Sequence, residues 1–384
     1  FFMMGLSIGV HLLNLLTIPA IVMIYYYRRY QATTKGAIYA FLIGCAITGL
    51  VQVGVIQYSM KAAGLFDIFF VNTLGLPFFS GFAFYFLALT ALVIVALRFK
   101  DSHLKPALLT GWSVAFLFLL LTPLVVVPGD GIKFTGLLVL AAAAGAMGYF
   151  IKPVALRMLK LSLWCYAFMM LGYCMYFTTL IRSNANPGID MNNVDNPINL
   201  VYYLSREQYG SAPLVYGPHF AADPSKDLVA GEPFIESEMK YVKGADRYLP
   251  IGRSKEYNFS SEVKQLFPRI WDSSDEQYHA QFYAEWLGLG QDRESGAYQA
   301  PTYGDNINWF FSYQMSLMYW RYFMWNFSGK QNDIQGMGNK RDGNWVTGIG
   351  MLDNARLGDQ SKLPDSIRHN GATNYFFLLH FILG

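Results

Sequence analysis

Apolar runs separated by short polar breaks fill the first half of the chain, whereas the second half alternates polar loops with aromatic clusters. A helix needs roughly 20 mostly apolar residues to cross a bilayer. Six stretches meet that length: about 2–27, 36–58, 77–99, 106–127, 134–151 and 161–181. Their connections are short, as between antiparallel neighbours. A further apolar piece, 62–76, is interrupted by Gly64 and Gly75 and followed by Pro77; it reads as interfacial or re-entrant. Gly44, Ala46 and Gly49, and the run from Ala141 to Gly148, supply the small residues that let helices pack closely in lipid.

The pattern changes after Arg182. A polar run rich in Asn and Pro follows, and Asn196 before Pro197 marks a helix start. Ile198, Val201 and Leu204 keep a helical period towards Tyr209, where Gly210 ends it. Between Pro213 and Arg269 the short apolar pieces and scattered Pro and Gly indicate a small mixed domain. Ser274 with Gln277 has the spacing of a capping box, opening a helix carried by Tyr278, Phe282 and Trp286 and ending near Gly288. Residues 308–327, NWFFSYQMSLMYWRYFMWNF, are long enough to span but are dominated by aromatics. Trp and Tyr favour the headgroup level, so this helix is expected to lie in the interface, with a spanning helix as the alternative. The expected division is a helical bundle over 1–182, an outer domain over 183–307, the aromatic helix over 308–327, a second outer segment over 328–373 and the start of another apolar helix over 374–384.

Composition sharpens this reading. Of 384 residues, 53% are hydrophobic and only 14% charged, against about 25% charged in ordinary soluble domains; mean hydropathy is +0.25. The fold class expected is therefore an all-α membrane bundle of six or more transmembrane helices with an outer mixed α/β domain. Both ends fall inside apolar runs, so the chain is expected to be part of a longer polypeptide. Lys and Arg gather on the cytoplasmic side of a membrane. The first, third and fifth connections hold Arg28, Arg29, Lys35, Arg98, Lys100, Lys105, Lys152, Arg157 and Lys160, against Lys61 and Lys133 in the second and fourth. Nine cations against two put 183–307 outside.

A net charge of +3 gives no footprint for nucleic acid. Cys45, Cys165 and Cys174 all lie in apolar runs and read as buried thiols. The His residues lack ligand spacing, so no metal site is expected, and no phosphate loop or HExxH or GxSxG motif occurs. What remains is an outer surface with cations at membrane depth. Arg182 and Arg206, with Arg321 as a weaker third, are candidates to bind a lipid phosphate, because guanidinium matches phosphate oxygens; a snorkelling role is the plainer alternative for Arg182. Asn186, Asp190 and Asp195 lie in the loop between them, where turn formation is the competing role. His11 and Asn14, one turn apart, would share a helix face and line a groove or bond a neighbouring helix.

The run IRSNANPGIDMNNVDNP followed by LSREQYG resembles the crossing segment of large multispanning bacterial membrane proteins of unknown function. These are grouped with the eukaryotic transmembrane protein O-mannosyltransferases. The matching residues are Arg182, Asn186, Pro187, Arg206, Glu207, Tyr209 and Gly210; Gly188 and Gln208 depart from a second Pro and a second Glu. GLSIGVHLLNLL, FFVNTLGLPFFSG, FPRIWD, YWRYFMWNFSGKQNDIQG, RDGNW and DNARLGDQSKLPDS also resemble the bacterial family, so the likeness covers nearly the whole chain. The resemblance implies a GT-C-type fold in the bacterial inner membrane, with 183–307 periplasmic. It implies a polyprenyl-phosphate-linked sugar as donor and an acceptor protein Ser or Thr or a glycan; no cofactor is expected. It also implies a catalytic carboxylate in a loop upstream of these residues, so no catalytic residue is assigned. Two other classes fit the same polar faces: a transporter or flippase of a lipid-linked glycan, and a non-catalytic membrane subunit that docks a partner protein.

Overall fold

The computed structural model describes residues 1–99, 106–150, 153–205, 212–274, 278–368 and 370–384. The apolar runs become helices, and the first run is not one helix but two. α1 (Phe2–Val10) and α2 (Thr17–Arg29) are separated by an extended His11 (φ −155°) and a short turn at Leu12–Leu16. The break is held by side chains that satisfy the freed backbone groups: the Leu13 N–H donates to His11 Nδ1 (3.2 Å), and the Asn14 amide donates to the Ser7 carbonyl (2.9 Å). α1 packs on a later helix so closely that a side chain at Gly5 would strike the Met169 carbonyl.

The second correction concerns 62–76, where the expected re-entrant piece is instead helical to Asn72. α3 runs without a break over Thr34–Asn72, with wide π-helical turns at Val51–Tyr58. Gly64 does not break it. A Cβ there would sit 3.0 Å from Val201 and 3.2 Å from Ile198, so the glycine marks a close helix approach. α4 (Ser80–Leu97) and α5 (Pro106–Val125) follow, then a small hairpin of β1 (Val126–Val127) and β2 (Gly131–Ile132). α6 (Phe134–Phe150), α7 (Pro153–Tyr173), α8 (Tyr176–Ser183) and α9 (Pro197–Leu204) complete the series.

Among the described residues, four helices are long and apolar enough to cross a membrane: Thr34–Asn72, Ser80–Leu97, Ala107–Val125 and Leu156–Ser183. The first expected span is cut at His11, and the fifth contributes a shorter apolar helix, Phe134–Ala146. Only 11% of the most apolar window of α3 is buried within the chain; its apolar surface faces outward, as lipid contact requires.

The chain divides into two units, 1–211 with 236–256, and 212–235 with 257–384. In the first unit Ile8, Met60, Tyr85, Trp112, Leu163 and Tyr173 belong to one buried core. Two longer strands, β3 (Phe234–Lys243) and β4 (Tyr248–Tyr257), pair as a hairpin, most of which belongs to this unit.

The second unit is built on aromatics. α10 (His279–Leu287) lays Phe282, Tyr283 and Trp286 against Trp309 and Tyr313. The Trp309 and Tyr313 rings stack at 4.1 Å, and the Trp286 indole N–H donates to Ser312 Oγ (2.9 Å). α11 is continuous through Tyr303–Trp309, Phe310–Trp320 and Arg321–Phe327. It starts earlier than residue 308 because Thr302 and Asp305 form a capping box, which satisfies the first free N–H groups. Phe311, Met315, Met318 and Tyr322 lie exposed along it. The expected capping partner Gln277 lies outside the described residues; Asp272 and Ser274 instead meet the His279 ring at 2.6 and 3.3 Å.

Candidate functional site

The β3–β4 hairpin gathers three separate parts of the helical unit. Its deepest anchor is Tyr248, only 1% exposed. Tyr248 donates its hydroxyl to Asp67 (2.7 Å), and its backbone N–H and carbonyl both bond the Asn72 amide (2.9 Å each). Asp67 is fully buried at the start of α4, where it also accepts the N–H groups of Phe79, Gly81 and Phe82 (3.1–3.2 Å). A carboxylate is favoured at this end of a helix. Burial and the bond to Asp67 push the Tyr248 phenol well above its ordinary range.

Ion pairs complete the attachment. Arg253 meets Asp130 of the β1–β2 hairpin at 2.5 Å, and this contact holds the Asp130 carboxyl below its usual range. Lys61 of α3 meets Glu238 at 3.2 Å, and Lys243 meets Asp195 at 3.3 Å. Tyr202 of α9 accepts the Tyr241 N–H at 2.8 Å and donates to its carbonyl at 3.2 Å.

Beneath the hairpin lies a cavity of about 600 Å³. Leu65, Ile68, Val126, Ile198 and Val201 give it an apolar wall from α3, β1 and α9. Ser237, Glu238, Lys240, Ser254 and Glu256 form the polar wall on the strands, with Lys61 beside them. The Lys240 ammonium lies 5.8 Å from the Tyr202 ring centre. Pockets of this size that are apolar with a few convergent polar groups commonly hold small ligands.

The sequence candidates fall around this centre to different degrees. Among the described candidates Asp195 is joined to it, through Lys243, and accepts the Asn196 and Asn199 amides (2.7 and 3.3 Å). Asn196 caps α9 as its position before Pro197 indicates, accepting the N–H groups of Ile198 and Asn199 (3.0 Å each). Asp190 accepts the Ser183 hydroxyl (2.6 Å), and Asn186 takes a left-handed turn (φ 48°). Arg182 stands exposed in the last turn of α8, and among the described residues its guanidinium has no partner. Arg206 lies outside the described residues. His11 and Asn14 serve the break between α1 and α2 rather than a common helix face.

Arg321 belongs to the second unit. Its guanidinium donates to the carbonyls of Leu317 (3.0 Å), Gly343 (3.2 Å) and Gly336 (3.4 Å) and lies 4.7 Å from the Trp325 ring centre. Burial lowers its affinity for the proton. Sequence reasoning passed over Lys61, Asp67, Glu238, Lys240 and Tyr248. A buried Asp within the apolar run 62–76 was the one local signal, since such a residue demands partners.

Residues 1–34 match the family described as the protein O-mannosyl-transferase TMEM260 N-terminal domain. Residues 210–311 match a family of unknown function, DUF8416. No curated protein and no solved structure gives a match. The first match covers α1, the break at His11 and α2, and supports a relation to the O-mannosyltransferases.

Proposed function

We propose that the chain forms part of a GT-C-type membrane glycosyltransferase that moves a sugar from a polyprenyl-phosphate-linked donor to a protein Ser or Thr or to a glycan. The observation that carries this reading is the match of residues 1–34 to an O-mannosyltransferase N-terminal domain. Four helices with the length and apolarity to span a membrane agree with a lipid-borne donor. The reading includes six or more spans, a bacterial inner membrane and a periplasmic site.

In such a transfer the acceptor oxygen bonds the sugar C1 while the C1–O bond to phosphate breaks. The phosphate leaves with the bonding electrons, and the acceptor proton passes to a base. Charge accumulating on the departing phosphate needs fixed donors. Arg182 is exposed at the end of a membrane-length helix and suits that role by position and chemistry, with Arg206 as the second candidate from the same stretch of sequence. The test is transfer of radiolabelled mannose from mannosyl polyprenyl phosphate by the full-length protein, upstream loop included, in detergent. Native protein should transfer sugar, and Arg182→Ala should slow transfer about a hundredfold with its fold intact. Unchanged transfer in the variant would discard Arg182 and keep the enzyme; absence of transfer by native protein would sink the proposal in favour of a transporter or docking subunit.

A further inference from the structure

The cavity under the β3–β4 hairpin has two chemically distinct walls, and their arrangement points to its occupant. Helices supply Leu65, Ile68, Ile198 and Val201 on one side, while strands supply lysine, glutamate and serine on the other. A wholly apolar ligand would strand the polar wall, and a free ion would leave the apolar wall wet; burying either group unpaired is unfavourable. An amphiphile satisfies both. About 600 Å³ accommodates a head group and the first units of a single chain.

The lysines define the head. Lys61 and Lys240 are balanced by Glu238 and Glu256 in the cavity wall, so the site does not attract anions by net charge. The Lys61–Glu238 pair, however, is part-exposed at 31% and 48%. Such pairs contribute little, and a phosphate that enters takes the Lys61 ammonium at small cost while gaining a stronger charge-assisted bond. The hydroxyls of Ser237 and Ser254, which touch one another, add donors on the same wall.

We propose that this cavity is the seat of a phosphate-bearing single-chain lipid, with Lys61 and Lys240 on the phosphate and the helix wall on the first part of the chain. The proposal deepens the glycosyltransferase reading and rests on it for the identity of the lipid, and it adds Lys61 and Lys240 to the candidates for holding its phosphate.

The test uses the full chain in nanodiscs and geranyl phosphate carrying a diazirine, with adducts mapped by mass spectrometry. Adducts should fall on peptides containing 61–68 and 237–241. Affinity should drop about tenfold or more in the double variant Lys61→Gln/Lys240→Gln. Ser254→Trp, an exposed substitution that fills the cavity from the strand side, should block labelling without unfolding the bundle. Adducts elsewhere, or affinity unchanged in both cavity variants, would overturn the proposal. Competition by phosphatidic acid as strong as by geranyl phosphate would overturn the single-chain part, and competition by inorganic phosphate at equal concentration would overturn the lipid part. Labelling of the cavity without sugar transfer would remove the enzymatic reading and leave the site. Transfer with labelling outside the cavity would do the reverse.

Discussion

Arg321 stands in the middle of an aromatic helix, where a cation facing lipid would be costly, and the structure shows how that cost is avoided. Its guanidinium reaches one carbonyl of its own helix and two in the Gly- and Asn-rich loop after it, while its face packs near Trp325. The fork geometry suits several carbonyls at once, which a lysine ammonium does not reproduce. Arg321→Ala should therefore destabilise the second unit by about 2 kcal/mol or more, with Arg321→Lys recovering only part. Hydrogen exchange across 331–345 should rise in both variants, and binding of a prenyl phosphate should stay native. Unaltered exchange with lost binding would return Arg321 to the ligand. The sequence shows an arginine seven residues after Gln314 but not the carbonyls that meet it, because Gly336 and Gly343 are brought there by folding of a loop without periodicity. Asn196, by contrast, was legible: its side chain bonds N–H groups two and three residues ahead, so the whole interaction lies within one short word of sequence.

At the scale of elements, helices were read from apolar periodicity and the hairpin was not. YLPIGRSKEY and FIESEMKYVK show no clean alternation of apolar and polar positions, since most of their side chains are exposed. Their placement is fixed instead by a bond across 181 residues, Tyr248 to Asp67. The same distance effect explains the reading of 62–76 as re-entrant. Gly64 looks like a breaker until α9 is packed against it, and Asp67 looks misplaced until α4 and Tyr248 supply its donors. Tyr248→Phe removes one of these donors from a buried carboxylate and should cost about 1–2 kcal/mol. Asp67 keeps its three backbone N–H groups, so the helix start should survive while the hairpin loosens. Hydrogen exchange should then rise over 236–256 and remain low through α4. Equal protection in both proteins would mean that the ion pairs and the Asn72 bonds alone hold the hairpin.

For the molecule as a whole, the arrangement of charges along the sequence and the contacts of the hairpin make one joint claim about sidedness. Nine cations in the odd connections against two in the even ones are the ground for expecting the even connections and the exit after Arg182 on the outer side. In the structure, the end of α3, the β1–β2 hairpin and the run after α8 all touch the β3–β4 hairpin, through Asn72, Asp130 and Asp195 respectively. A hairpin cannot bond three exits unless they leave the bundle on one side. That inference uses contacts and not helix lengths. In a background where Cys45, Cys165 and Cys174 are replaced by Ala, Lys133→Cys, Met191→Cys and Ile251→Cys should react with a membrane-impermeant maleimide from the same face. Gln31→Cys, in the first connection, should react only from the other. All three introduced positions other than Gln31 are exposed and lie outside the membrane-length helices, so failure to react would not reflect burial in the fold. Reaction of Met191→Cys and Gln31→Cys from one face would break the alternation on which the outer assignment rests. Reaction of Ile251→Cys opposite to Lys133→Cys would instead contradict the hairpin contacts themselves, and with them the cavity they enclose.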